Sequence, residues 1–461
     1  MALKDKIYKF LPLPLQNVAI SIFGYLWQKR RFGGVFQEEL IEFKKRDNFT
    51  RAQWSDYTVQ ELRKIILYAF ENVPFYKNLY QQNGFTLERL QNLTLNELKS
   101  LPFLEKEAVR KFGETDLMAT HFDKEGEYFG SSGSTGTPSK IYFSKTTHQK
   151  WSAAFEVRIR HWAGVNNKTP RGMIGGRRVL PNANDGPPYY RYNLVEKQVY
   201  FSAYHIAQST AQNYVDGMKK YGIEYMNGYA VSNYLLALFI KKNNIQAPKL
   251  KAVITSSEKL TTEMRTVFQE VYQCKTYDSW SGVEACALVS ECEHGSLHVS
   301  EDVGILEIID DNGNEVSEGE TGEVVCTGFL NYDQPLLRYR IGDRMTKGKG
   351  SCACGRNMPI IKDIDGRMED VIKGADGRQM VRFHGLFIGI SSIERAQVIQ
   401  HTIHHIEIKI QNEIALTTPE IELIKTRLES QLGTMKVDVN QHQKIEQTAN
   451  GKFKAVISMI K

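Results

Sequence analysis

The chain has 461 residues, 41% of them hydrophobic and 24% charged, with 59 Lys and Arg against 53 Asp and Glu for a net charge of +6. That length calls for two or three domains and a core large enough to enclose a site, and the composition is that of a soluble globular protein, which excludes a disordered chain. So small a charge excess, with no basic run interleaved with aromatics, gives no ground for a nucleic-acid partner. No run of about 18 apolar residues occurs, so no transmembrane helix is expected. No signal-peptide pattern opens the chain, and six cysteines do not make a disulfide framework, so a reducing cytoplasm is the expected setting.

In chain order, residues 11–23 (LPLPLQNVAISIF), with Lys29, Arg30 and Arg31 close behind, read as a helix packed on the body; a peripheral membrane contact through this N-terminus is the alternative. Residues 58–68 and 93–101 have helical spacing, each with a Thr near the start. From about residue 140 to 330, β-rich runs such as 251–255 and 275–279 alternate with helical runs such as 260–271, which indicates an α/β sheet. Residues 305–309 and 323–327 read as two strands joined by the turn-rich 310–320. Past Gly366 the pattern shifts to short strands (406–410, 436–439) and one helix (419–432). Two domains are therefore expected: a large one of mixed sheets flanked by helices over 1–365, and a small α+β one over 366–461.

The segment Phe129-Gly130-Ser131-Ser132-Gly133-Ser134-Thr135-Gly136-Thr137-Pro138-Ser139-Lys140 carries the most chemical information. Its glycines let successive N–H groups turn toward one point and form an anion-binding nest, while Ser and Thr hydroxyls and Lys140 add donors and a cation. A flexible linker would not need the closing Pro-x-Lys that runs directly into the β-run 141–143. The Walker spacing is absent, so this is a phosphate cradle of another kind and a P-loop kinase or ATPase is excluded.

Further along the chain stand Ser256-Ser257-Glu258, Asp278-Ser279-Trp280-Ser281-Gly282-Val283-Glu284, Arg338-Tyr339-Arg340-Ile341-Gly342-Asp343, Gly366-Arg367-Met368-Glu369-Asp370 and Gly451-Lys452-Phe453-Lys454. With the Ser131–Lys140 loop, this ordered set resembles the adenylate-forming enzymes: acyl-CoA synthetases, peptide-synthetase adenylation domains and luciferases. The Cys352-Ala353-Cys354-Gly355-Arg356 segment and Glu71-Asn72-Val73-Pro74-Phe75-Tyr76 resemble one branch, the phenylacetate–CoA ligases and their relatives from capsule and surface-polysaccharide gene clusters.

The resemblance implies that ATP is held while a carboxylate attacks its α-phosphorus, giving an acyl-AMP and pyrophosphate. It implies phosphate contacts from Ser131, Ser132, Gly133, Ser134, Thr135, Gly136, Thr137 and Lys140. The adenosine would meet Ser256, Ser257, Glu258, Asp278, Ser279, Trp280 and Arg367. A bidentate grip of Asp343 on the ribose hydroxyls is also implied. Glu284 would hold Mg²⁺, as a hard cation bridging phosphates wants one or two carboxylates plus water. Three departures stand out: Val283 replaces the hydroxyl residue that usually precedes this Glu, Ser256-Ser257 replaces the commoner Gly-Gly, and Glu446-Gln447 replaces the Pro-Arg that often precedes the Thr448–Lys452 turn. Lys452 matches the lysine that reaches into the site during adenylation, with Lys454 as its register rival; Glu369 falls where the small domain pivots between half-reactions. His205 matches a gate beside the carboxylate.

A second constellation comprises Cys292, His298, Cys352 and Cys354, with His294 as the rival for His298; three thiols and one imidazole can complete a closed, structural tetrahedral Zn²⁺ site. Cys274, Cys286 and Cys326 lie in apolar runs and read as core thiols. The Gly-, Arg- and Tyr-rich span 173–204, with Tyr229, is expected to line the acyl pocket. Within it Arg177, Arg178 and Arg191 are expected on an exposed loop, the alternative being a grip on a second carboxylate. The leading expectation is an ATP-dependent ligase transferring the acyl group to coenzyme A or an amine, as a monomer or homodimer; the alternative is a catalytically decayed nucleotide-binding scaffold in polysaccharide assembly.

Overall fold

The computed structural model describes residues 8, 10–130, 139–176, 179–180, 186–365, 372–375, 378–380, 383–387, 390, 392–393, 395–412, 414–442, 445 and 455–460. The chain opens with helices α1 (Leu13–Phe32), α2 (Phe36–Arg46), α3 (Arg51–Asn72), α4 (Pro74–Gln82), α5 (Leu87–Gln91) and α6 (Lys106–Phe112). The expected 58–68 helix is the middle of the longer α3. Its start is set by Thr50, whose hydroxyl accepts from Gln53 N–H while the Gln53 side chain accepts from Thr50 N–H; Thr58 is buried mid-helix. Residues expected to form a helix over 93–101 form a 3₁₀ turn, Leu95–Ser100, opened by the same reciprocal arrangement between Thr94 and Glu97.

Strands β1 (Glu127–Gly130) and β2 (Lys140–Phe143) pair antiparallel, and α7 (Lys145–Phe155) follows. A large sheet takes the next twelve strands: β3 (Arg171–Gly175), β4 (Tyr190–Asn193), β5 (Gln198–Ser202), β6 (Tyr225–Tyr229), β7 (Ala252–Ser256), β8 (Lys275–Trp280), β9 (Val289–Glu291), β10 (Leu297–Val299), β11 (Gly304–Ile309), β12 (Thr321–Gly328), β13 (Tyr339–Lys347) and β14 (Ile360–Asp365). Their order is β11-β12-β13-β14-β10-β9-β8-β7-β6-β3-β5-β4. Strands β5, β3, β6, β7 and β8 run parallel, and the rest of the sheet is antiparallel.

The parallel part is apolar on both faces because helices cover both. Val253 and Met226 pack under α8 (Ala211–Lys220), α9 (Ala230–Lys242) and α10 (Thr262–Tyr272). Their neighbours Ala252, Ile254 and Tyr225 point the other way, onto Phe36 and Phe43 of α2 and Ala153 and Ala154 of α7. The antiparallel part packs on α3 and α4 through Leu62, Ile65, Ile66, Tyr76 and Tyr80. Arg338 fastens these layers. Fully buried, it forms a two-point ion pair with Glu307 and donates to the carbonyls of Lys99 and Leu101. The expected hairpin is β11–β12, paired from Gly304↔Gly328 to Ile309↔Glu323.

After β14 come the pair β15 (Ile372–Lys373) and β16 (Gln379–Met380), the short α11 (His384–Phe387), and a four-stranded sheet ordered β19-β18-β17-β20. Its strands are β17 (Arg395–Thr402), β18 (His405–Gln411), β19 (Lys436–His442) and β20 (Val456–Ser458). Helix α12 (Thr418–Leu432) lays Ile424, Leu428 and Leu432 on the Ile406, Ile408 and Ile410 face of β18. The alternating burial along β18 is that of a strand with one face on a core.

Candidate active site and metal centre

Parallel strands point their carboxyl ends to one edge, where ligands bind in open α/β sheets. Here that edge gathers Ser202, Gly175, Tyr229, Ser256 and Trp280, the last residues of β5, β3, β6, β7 and β8. Ser256 stands beside Ser279 in the register of β7 and β8. Ser257 has φ +71°, the left-handed region that disfavours side chains and marks strain at functional sites. The Glu258 carboxylate accepts from Val231 N–H at 2.8 Å, so it caps the first turn of α9.

Trp280 Nε1 donates to Asp343 Oδ2 at 3.0 Å, which joins the end of β8 to the middle of β13. Glu284 is buried beside them. Burial pushes its carboxyl up and the Asp343 carboxylate adds to this, while its own backbone N–H and Lys106 oppose it. A Cβ on Gly282 would lie 2.1 Å from Glu284 Oε2, so glycine is what lets that carboxylate fold back over the turn. A buried carboxyl held up by desolvation, with a second acid close by, fits a hard divalent cation, which would restore its charge. Val283 offers no hydroxyl to this group.

Asp278 is pushed up to about 7, chiefly by burial and then by the neighbouring Glu291, which Arg265 holds in a two-point ion pair. It accepts from Ser279 N–H at 2.9 Å and from the Thr255 hydroxyl at 3.2 Å. Lys140 forms an exposed ion pair with Glu114 at 2.8 Å. The rest of the loop, Ser131–Thr137, lies outside the described residues, as do Arg177, Arg178, Arg367, Glu369, Lys452 and Lys454.

At the β3–β5–β6 end of the edge, His205 Nδ1 and the Ser202 hydroxyl are 2.7 Å apart, and the imidazole stacks on Tyr189 at 5.0 Å. Tyr204 donates to Gly176 O at 3.3 Å, and a Cβ on Gly176 would meet the Tyr229 hydroxyl at 2.6 Å. The structure thus brings Tyr189, Tyr204, His205, Tyr229 and Gly176 into one neighbourhood. It corrects the expectation for Arg191. That side chain is buried on β4 and donates to Gln16 Oε1 of α1 and to the carbonyls of Pro188 and Tyr190, so it is not on an exposed loop. A run rich in Gly, Pro and Tyr looks like a loop, and pairing with β5 is what buries it.

Cys292, His298, Cys352 and Cys354 come together from β9, β10 and the β13–β14 connection, with all four ligand atoms within 4.8 Å of one another. Cys292 Sγ to Cys352 Sγ is 3.6 Å and Cys354 Sγ to His298 Nε2 is 3.4 Å. A tetrahedral zinc with bonds of about 2.3 Å to sulfur has edges of about 3.7 Å, so these atoms stand close to where the ion requires them. Among the described residues His298, not His294, completes the set. Trp54, Trp162 and Met358 wall the cluster in, and Arg356 stacks over Trp162 at 4.3 Å. Four protein ligands in an apolar shell make a closed arrangement. Cys274, Cys286 and Cys326 are buried elsewhere in apolar surroundings.

Two residues at the site carry no motif. Lys106, at the start of α6, acts on Glu284 from another element. Buried Gln334 bonds Tyr142 N–H and the Gly113 carbonyl, which fixes β2 below the 131–138 loop in sequence. Only pairing between distant segments places them, so no local signal could have found either.

Residues 375–459 match the family model described as the CapK C-terminal domain. Over 474 aligned positions the chain is 25% identical to Protein CapK of Staphylococcus aureus, with 99% of each covered. It is 23% identical to a phenylacetate-coenzyme A ligase of Thermus thermophilus, covering 79% of this chain and 80% of that one. Among solved structures, a 2-hydroxyisobutyryl-CoA ligase with 2-HIB-AMP and CoA superposes with a TM-score of 0.59 at 17% identity, covering 90% of this chain and 91% of that one. The same ligase in a postadenylation state gives 0.56 at 18% identity, covering 90% and 92%. The chain therefore has the fold of these acyl-CoA ligases and is similar in sequence to CapK along its whole length and to phenylacetate-coenzyme A ligases over most of it.

Proposed function

We propose that this protein is an ATP-dependent, AMP-forming ligase that activates a carboxylic acid as its acyl-adenylate and passes the acyl group to coenzyme A or an amine. The observation that carries this is the convergence of Ser256–Glu258, Trp280, Glu284 and Asp343 at the carboxyl edge of the parallel strands, with Trp280 bonded to Asp343. In adenylation the acid's carboxylate oxygen bonds to the α-phosphorus as the bond to pyrophosphate breaks. In transfer the thiol or amine bonds to the acyl carbon, loses its proton, and AMP leaves.

Asp343 holds the ribose and Ser256, Ser257 and Glu258 flank the adenine. The Ser131–Thr137 loop with Lys140 holds the phosphates, Glu284 holds Mg²⁺, and Lys452 offsets charge that grows on the phosphates. His205, Tyr189, Tyr204 and Tyr229 form the acid-binding end, an aromatic and polar lining suited to an aryl or hydroxy acid. Residues 1–365 act as the ATP- and acid-binding domain and 366–461 as a small domain that turns on Glu369. Zn²⁺ at Cys292, His298, Cys352 and Cys354 serves structure alone. The resemblance of the Cys352–Arg356 and Glu71–Tyr76 segments to relatives from capsule gene clusters supports work in surface polysaccharide assembly, with the acid or its acceptor drawn from that chemistry.

ATP–pyrophosphate exchange measured over a panel of aryl, hydroxy and amino acids tests the reading. One or more acids should raise exchange well above background. A protein that binds ATP yet shows no exchange with any acid would favour the decayed-scaffold alternative.

A further inference from the structure

Helix α1 holds the body of the protein with apolar and polar groups together. Ile20 and Trp27 pack inward, Trp27 on Phe129 and His148, and polar side chains join them. Gln16 Oε1 accepts from Arg191, Asn17 Oδ1 from Tyr192 N–H at 3.0 Å and the Ser21 hydroxyl from Leu194 N–H at 3.1 Å. Gly24 sits so close to β4 that a Cβ would lie 2.1 Å from Asn193 Nδ2. The opposite side carries Leu15, Val18, Ile22 and Leu26, spaced three and four apart on one line and 50%, 52%, 60% and 61% exposed. Tyr25 borders the line, Phe10 precedes it at 88% exposure, and Leu194, next to Ser21, adds another exposed side chain at 67%. A continuous apolar strip of this kind on a soluble protein marks a contact surface.

The charges choose the occupant. Exposed Lys29 lies on the same line as Leu15, Val18, Ile22 and Leu26, 4.7 Å over the Tyr25 ring. Arg30 and Arg31 also stand in the last turn, but they face inward, to the Phe143 carbonyl and to Glu196. In the sequence ahead of the helix stand Lys4, Lys6 and Lys9, and the only acid before Glu38 is Asp5. Cations before and after the apolar run in sequence, with no acid within it, give a second copy of the strip no opposite charge to meet. They suit a surface of anionic headgroups over acyl chains. We propose that α1 docks this enzyme on an anionic bilayer, with Leu15, Val18, Ile22 and Leu26 at the headgroup–acyl boundary and Lys29 among the phosphates. Among the described residues no helix is long and apolar enough to cross a membrane. With its inner side committed to β4, α1 lies along the surface. This inference is independent of the adenylation reading.

The test is flotation of the full chain with vesicles of phosphatidylcholine, alone or mixed with phosphatidylglycerol. The mixed vesicles should carry the protein up and added salt should weaken this. Leu15→Ser combined with Ile22→Ser and Leu26→Ser should lower partition at least about tenfold, given roughly 0.8 kcal/mol per buried CH₂. Ile22→Glu alone should act in the same direction, and Lys29→Gln should cost about fivefold on the mixed vesicles only. These side chains point outward, so melting temperatures should not change. A wild-type chain that floats with neither vesicle overturns the proposal, as does binding indifferent to all three variants. A wild-type dimer that Ile22→Glu turns into a monomer, without vesicle binding, gives the strip to a second copy instead.

Discussion

Ser257 shows how one backbone angle separates the constraints acting on a residue. Its φ of +71° suits glycine, tolerates a short polar side chain, and resists a β-branched one. Ser257→Val should therefore be less stable than Ser257→Gly by about 2 kcal/mol, read from urea midpoints at constant slope; equal midpoints would show that the loop relaxes freely. Asp278 sets a pH dependence. Its carboxyl, ordinarily at 3.8, is pushed up to about 7 by burial and then by Glu291. Between those values the folded state keeps a proton that the unfolded chain has lost, so this group lowers stability as pH rises through the window. Asp278→Asn cannot titrate, and its stability relative to wild type should rise by about 2 kcal/mol from pH 5 to pH 7 at about 1.4 kcal/mol per unit, less some relaxation. A difference that stays flat with pH would place the titration elsewhere. Both positions were named from the sequence, Ser257 as a serine where glycine is commoner and Asp278 as an adenosine contact, but neither the positive φ nor the shift was legible there. The Asp278 shift comes first from burial and then from Glu291, thirteen residues along and across a strand pair, where no local pattern points.

Among elements, those with strict periodicity or alternation could be read from sequence and those decided by partners could not. The apolar alternation 305–309 and 323–327 became β11 and β12, and 419–432 became α12 almost to the residue. The start of α3 was missed because its capping residue, Thr50, lies eight residues before the run from Thr58 that drew attention. β4 was missed because its Gly- and Pro-rich approach resembles a loop until β5 pairs with it. The cysteine cluster was legible from residue types, but the choice of His298 over His294 needed the register of β10 on β9. That cluster ties the β9–β10 hairpin to the β13–β14 connection, three segments with little apolar area of their own. Metal analysis of the purified chain should return one zinc, and Cys352→Ser with Cys354→Ser should remove it. Chelation should lower the melting temperature by several degrees, about the effect of losing 2 kcal/mol or more. A chain with no zinc and an unchanged melting temperature in chelator would reduce the cluster to buried thiols.

At the scale of the molecule, the ordered motifs made the proposed reaction class legible, but no spacing rule could place 366–461 against the large sheet, and on the proposed reading that placement would change with the half-reaction. The chemistry supplies the reason. Adenylation builds charge on the α-phosphorus and the departing pyrophosphate, so it needs a cation there. Acyl transfer forms no bond at phosphorus and expels no pyrophosphate; it breaks the bond from the acyl carbon to the AMP oxygen and needs room for a thiol or amine, so a lysine still filling that space would obstruct it. If the small domain presents Lys452 in the first step and withdraws it in the second, the two steps must respond differently to its loss. Lys452→Ala should cut ATP–pyrophosphate exchange by about 10²–10³-fold, the usual cost of one charge-stabilising donor. Thioester formation by the same variant, started from a chemically made acyl-AMP and coenzyme A, should stay within about threefold of wild type, since a lysine absent from that transition state contributes nothing to it. Glu369→Pro, which stiffens the pivot, should reverse the pattern by keeping exchange and slowing transfer. Equal damage to both steps by Lys452→Ala would mean that one fixed arrangement of the domains serves the whole reaction.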